Sequence, residues 1–338
     1  MDQVLDAESQ QLVVLNGDII TGENTYLANS THYMDKAVAP LVSRGLTWAS
    51  TYGNHDGQYN LCGKDLLLRE QQWSNSRTKN MVLGQEIGNT NYYLPVYGRD
   101  CAYSYYRNCT PALLLWFFDS RGGFEFQELD PSGDYIGRPN WVDTRVVDWF
   151  TQTSSSLAKQ FNKTVPSLAF VHQPVHASKV FQAQARVDPN REPGINDDKP
   201  LAGQADGWCR DGRQNDSCDY GGQDEPFMNA LASTPGLIAV FSGHDHGDTW
   251  CHKWNPNNND TTTAPGNGIN LCFGQHTGYG GYGSWIRGSR QVLLTESMLE
   301  NLEAETWIRL EDQGTVGRVS LNSTYGQDLY PATPNKKT

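Results

Sequence analysis

The stretch Leu237-Ile-Ala-Val-Phe-Ser-Gly-His-Asp-His-Gly247 joins an apolar run to a short polar turn carrying two histidines and an aspartate. The run reads as a buried β-strand, because it is short, apolar and bounded by turn residues. The turn after it holds donor types suited to iron, manganese or zinc. A lone His-x-His is weak evidence, so the question is whether the chain repeats the pattern. It does, three times upstream. Gln11–Asp18 (QLVVLNGD) ends in Gly17-Asp18. Leu46–Asp56 (LTWASTYGNHD) ends in Gly53-Asn54-His55-Asp56. Ser167–Pro174 (SLAFVHQP) runs into His172-Gln173-Pro174. Ligand sites in open α/β sheets gather at the carboxyl ends of strands, so these four turns are expected to converge. Glycine lets the chain bend tightly and approach a ligand closely.

Further elements follow from periodicity and punctuation. Helices are expected over Ser30–Arg44, Trp141–Gln160 and Glu225–Ala232. Tyr92–Tyr106 reads as a hairpin and Pro111–Asp119 as the most apolar strand. Further β segments are expected near Leu271, Val292, Thr306 and Val316. Gln182–Gln223 reads as loop, and the tail after Pro331 as disordered.

Composition limits the function classes. The 338 residues are 37% hydrophobic, with 33 glycines and 16 prolines. That fits one loop-rich globular domain over residues 1–330. A net charge of -12 and a pI near 5.1 argue against nucleic acid or anionic lipid as partner. No apolar run reaches the roughly 20 residues that span a membrane. Asn-x-Ser/Thr sequons at Asn29, Asn108, Asn162, Asn215, Asn259 and Asn322 point to a secreted, extracellular or vacuolar glycoprotein. Of the seven cysteines, Cys101 and Cys109, Cys209 and Cys218, and Cys251 and Cys272 lie close in sequence. These pairs are expected to be disulfides of an oxidising compartment, leaving Cys62 over.

With its four turns in this order, the chain resembles the calcineurin-like metallophosphoesterases. NGDIITGENT, NYYLP, LLLWFFDSRGG and FGQHTGYGGYG resemble a fungal, secreted, purple-acid-phosphatase-like branch of them. The resemblance implies a four-layer α/β/β/α sandwich. It also implies hydrolysis of phosphate monoesters by a dinuclear centre of iron, manganese or zinc and its bound hydroxide. Carried over by position, Asp18 bridges two metals, and Asn54, His172 and His244 complete one site. His246 belongs to the other site. His55 faces substrate, and Asp56 orients His55. Purple acid phosphatases carry tyrosine three residues after the Gly-Asp aspartate. Here that residue is Thr21, so no charge-transfer colour is expected.

The family also opens with Asp-x-His upstream of Gly-Asp, ligating the second metal. Residues 1–16 contain no histidine. The expectation is an N-terminally truncated domain, the alternative being a natural short form that binds one metal or none. Under either, one metal site is complete and its neighbour impaired, His32 being the first candidate substitute. Phosphodiesters or nucleotides are the alternative substrates. A non-catalytic sugar-binding glycoprotein, with Trp285, Tyr279 and Tyr282 as its platform, is the alternative of another class.

Overall fold

The computed structural model describes residues 1–21, 30–58, 61–99, 101, 109–184, 186–215, 217–256 and 264–338. In chain order the elements are α1 (Asp2–Ala7), β1 (Val13–Asn16), α2 (Ser30–Ser43), β2 (Trp48–Thr51), α3 (Gly63–Glu70), β3 (Tyr92–Val96) and β4 (Leu113–Phe118). Then come β5 (Phe124–Leu129), β6 (Tyr135–Gly137), α4 (Thr144–Phe161), β7 (Ser167–Val171), α5 (His176–Ala183) and α6 (Glu225–Ser233). Last are β8 (Leu237–Ser242), β9 (Cys251–Trp254), β10 (Ile269–Phe273), β11 (Gly288–Leu293), α7 (Glu296–Glu300), β12 (Ala304–Leu310) and β13 (Thr315–Leu321).

Strand β4, LLLWFF, is buried along its whole length, which places it inside a layered protein. It lies in a mixed six-stranded sheet of order β3-β4-β7-β8-β10-β9. Leu114, Trp116 and Phe118 point to a core closed by Val146 and Phe150 of α4 and Phe227 and Leu231 of α6. Leu113, Leu115 and Phe117 point the other way, towards Ala304, Val319 and Leu321 of the three-stranded sheet β11-β12-β13 and half-buried Val14 of β1. On that second face Tyr92, Phe117, Phe170 and Phe241 stack in sequence across four strands, with ring centroids 4.5, 5.1 and 5.5 Å apart. Cross-strand aromatic pairs of this kind fix register as well as burying area. A third core packs Met34, Val38 and Leu41 of α2 and Leu66 of α3 on the parallel pair β1-β2.

A buried carboxylate holds β2 in place. Glu70 is fully buried and accepts hydrogen bonds from Trp48 Nε1 (2.8 Å), Ser50 Oγ (2.6 Å), Thr78 Oγ1 (2.6 Å) and Tyr52 OH (2.9 Å). Glu70→Ala strands these four donors without an acceptor. It is expected to cost about 3 kcal/mol or more, since each buried unsatisfied group costs on the order of 1–3 kcal/mol. Urea unfolding measures this; a loss below about 1 kcal/mol would show that water replaces the carboxylate.

The structure departs from the sequence reading in places. Strand β3 pairs antiparallel with the distant β4, and residues 100 and 102–106 of the expected hairpin fall outside the described residues. Helices α3 and α5 lie in stretches with no helix expected, as does α1. The tail read as disordered packs back on the body. Ile286 N donates to Lys336 O at 3.0 Å, and Lys337 sits over the Trp285 ring, 4.4 Å from its centroid, and pairs with Asp197. A cation on an indole face and a carboxylate partner supply the local attraction that composition does not reveal. The three expected disulfides form, with Cα separations of 5.8, 5.1 and 4.0 Å, and Cys62 is free. Sequons at Asn29, Asn108 and Asn259 lie outside the described residues.

Candidate metal centre

Strands β1, β2, β7 and β8 each run straight into one of the four polar turns. After β1 the chain takes two left-handed residues in succession, Gly17 (φ 90°) and Asp18 (φ 50°). His244, after β8, is left-handed as well (φ 70°). Such backbone costs on the order of 1–3 kcal/mol in a residue with a side chain, and it is kept where it aims a functional group. Glycine is required at two approaches. A Cβ on Gly17 would lie 2.2 Å from His172 Nδ1, and one on Gly53 2.2 Å from Asp18 Oδ1.

The turns converge. One ligand atom each from Asp18, His172 and His244 lie within 4.8 Å of one another. His172 Nε2 stands 3.0 Å from Asp18 Oδ2 and 3.2 Å from Asn54 Oδ1. His172 Nδ1 donates to the Asn16 backbone carbonyl at 2.8 Å, which turns Nε2 towards the cluster. A backbone acceptor behind an imidazole is the usual outer support of a metal-ligating histidine. Asn16 is itself fixed, its amide donating to Phe241 O at 3.1 Å.

Electrostatics tell the same story. Burial alone would raise the Asp18 carboxyl, but His172, His55 and His244 hold it well below the carboxylate range. Burial opposes a charge on His172, yet Asp18 outweighs it and lifts the imidazole to about 9. Burial and then the His172 charge push His244 down to about 3. In the metal-free protein, then, a proton on His172 supplies the positive charge that Asp18 and Asn54 surround. Neutral imidazole, carboxylate and amide oxygen converging on one point fit a divalent transition metal, and binding releases that proton.

This pairing sets a pH dependence for the metal-free fold. His172 has a raised folded value, so its contribution is complete below its ordinary 6.5 and is lost as pH rises through about 9. Asp18 has a lowered value, so its contribution is present above its ordinary 3.8 and is lost as pH falls through the folded value. With chelator present, urea midpoints are expected to be highest in the window between those ordinary values and to fall above it. Asp18→Asn should flatten the alkaline decline. An equal decline in that variant would assign it to other groups.

The other expected residues lie around this cluster. His55 donates its backbone N–H to Asp18 Oδ1 at 2.9 Å, and its ring Nδ1 is 3.3 Å from Gln58 Oε1. Asp56 makes different contacts from those expected of it. Its fully buried carboxyl accepts from Gly53 N at 2.8 Å and Ile20 N at 2.9 Å. It ties the turn after β2 to the one after β1, and the His55 ring faces Gln58 instead. Burial and the nearby Asp18 charge push Asp56 up to about 7. His246 Nδ1 donates to Tyr282 O at 2.8 Å, and burial lowers its pKa. His32 is exposed in the first turn of α2, its ring against Tyr33 at 6.2 Å. Sequence reasoning overlooked Asn16, Gln58 and His276. Only His276 carried a signal, lying in the Gly-rich FGQHTGYGGYG run already noted as distinctive. Burial and His246 lower His276 to about 3.

The model of the calcineurin-like phosphoesterases matches residues 1–248, so it covers the cluster and most of the chain. The chain belongs to this family. Among its relatives are probable inactive purple acid phosphatase 14 of Arabidopsis thaliana, 26% identical over 93% of this chain and 72% of its own length. Probable inactive purple acid phosphatase 29 of the same plant is 25% identical, over 93% and 73%. Phosphatase DCR2 of Saccharomyces cerevisiae is 26% identical over 92% of this chain and 47% of its own length. A dimetal phosphatase from Danio rerio superposes with a TM-score of 0.54 at 14% identity, covering 92% of this chain and 83% of that one. That likeness supports the mixed α/β fold with its central mixed sheet. Asp18, His172 and His244 are the one group among the described residues whose geometry could hold a metal ion.

Proposed function

We propose that this chain is a metal-dependent phosphatase for phosphate monoesters, with Asp18, Asn54, His172 and His244 holding one ion. The convergence of Asp18, His172 and His244 within 4.8 Å carries the reading. Such ions supply charge neutralisation and activate water, and phosphoryl transfer needs little else but positioning. In this reading Asp18 would face both ion positions and His246 would serve the second. His55, whose backbone N–H donates to Asp18, would protonate the leaving oxygen. The cores on both faces of the six-stranded sheet, with α2 and α3 outside β1-β2, favour the four-layer arrangement. Three disulfides favour an oxidising, secreted or vacuolar location.

The second position is the weak point. Among residues 1–16 there is no Asp-x-His pair. Strand β1 has β2 as its ladder partner, and Val13, Val14 and Leu15 are half-buried. A further strand carrying Asp-x-His beside β1 would bury them and complete the second site.

The test is hydrolysis of an aryl phosphate and a bis-aryl phosphate with added manganese, iron or zinc. The 338-residue chain is expected to be slow. The chain preceded by a strand bearing Asp-x-His is expected to be faster by about 100-fold or more, preferring the monoester. No hydrolysis of either ester by either form, with metal bound, would make the chain a non-catalytic binder.

A further inference from the structure

Strands β8 and β10 are parallel neighbours, so their carboxyl ends open on the same side of the sheet. β8 delivers His244 and His246. The segment after β10 delivers His276, and the two meet: the His246 and His276 rings stack with centroids 3.8 Å apart and planes 29° apart. Tyr282 covers the other face of His246 at 4.1 Å. With His246 Nδ1 committed to Tyr282 O, its Nε2 is left as the bare nitrogen. His276 Nδ1 is buried and has no hydrogen-bond partner among the described residues. The His276 backbone is fixed, its carbonyl accepting from Gly288 N at 3.2 Å, while Thr277 Oγ1 donates to Gly288 O at 2.7 Å. A buried polar nitrogen without a partner loses on the order of 1–3 kcal/mol, so such a group calls for an explanation.

We propose that His276 is a further ligand at the second metal position of this chain, beside His246 and across from Asp18. The proposal rests on the metal-centre reading above. It raises the protein ligands at that position from two to three, the number that holds catalytic zinc while leaving a place open. Turning the His276 ring towards a shared ion breaks no hydrogen bond at Nδ1. The tilt between the rings already departs from parallel stacking. His32, exposed on α2, has no comparable contact with His246 among the described residues.

Calorimetric titration of the 338-residue chain with Zn²⁺ or Mn²⁺ is expected to show two events, a tight first ion and a weaker second. His276→Ala should weaken the second by at least about 10-fold and leave the first within about 3-fold, and His32→Ala should change neither. His276→Cys separates ligation from support of the loop. Loaded with Co²⁺, it is expected to gain thiolate-to-cobalt charge-transfer absorption, which a merely structural role would not produce. If His276→Ala unfolds, the cysteine variant still decides. A second ion bound equally by wild type and His276→Ala, or no charge-transfer band in His276→Cys, overturns the proposal while leaving the first site standing. One ion in both proteins does the same. No ion in the wild type overturns the metal-centre reading together with this one.

Discussion

Asp18→Asn is expected to weaken binding of the first divalent ion by more than about 100-fold, beyond the loss usually caused by removing an outer-shell partner alone. The substitution keeps the shape of the side chain and an oxygen for the His55 N–H, which now lies 2.9 Å from Asp18 Oδ1. What it removes is the single negative charge among the clustered ligands, the charge that lifts His172 to about 9. The fold is therefore expected to survive while the affinity collapses. Calorimetry with Mn²⁺ or Zn²⁺ and elemental analysis after dialysis check this. An affinity within about 3-fold of wild type would remove Asp18 from the ligand set.

The second large effect concerns turnover. In the protein completed with Asp-x-His, His55→Ala is expected to slow kcat by roughly 100-fold or more with a smaller change in KM, as for loss of a general acid. His55 is not among the clustered ligands, and its backbone N–H donates to Asp18. Metal content should accordingly stay unchanged. The loss should shrink for aryl phosphates whose leaving groups need no proton. A uniform loss across leaving groups, or a loss of metal, would assign His55 a binding role instead.

The parts of this molecule that local sequence determines were legible. An apolar run followed by a short polar turn produced β1, β2, β7 and β8. Parallel pairing sets the turns side by side within each of the two sheets, and Asn16, bonded to Phe241 and His172, joins the two pairs. Cysteines eight, nine and 21 positions apart paired as their spacing implied. The illegible parts depend on contacts between distant segments. Asp56 adjoins His55 in sequence, but the turn directs its carboxyl inward to Gly53 and Ile20. His276 sits 30 positions from His246, and only the adjacency of β8 and β10 brings the rings to 3.8 Å. Helix α5 begins just after Pro174 and runs into a polar stretch, and its buried Ala177, Val180 and Phe181 are too few to announce it. The tail is too polar to read as ordered, yet Trp285 and Asp197 capture Lys337.

The central claim is that an ion sits where the four turns converge. Diffraction from crystals of the 338-residue chain grown with Zn²⁺ or Mn²⁺, recorded at the metal absorption edge, tests it most directly. The expected result is an anomalous peak in bonding contact with Asp18, Asn54, His172 and His244, at about 2.0–2.2 Å from the imidazole nitrogens. A fully occupied ion elsewhere, with His172 Nε2 still bonded to Asp18 at 3.0 Å, would contradict the account.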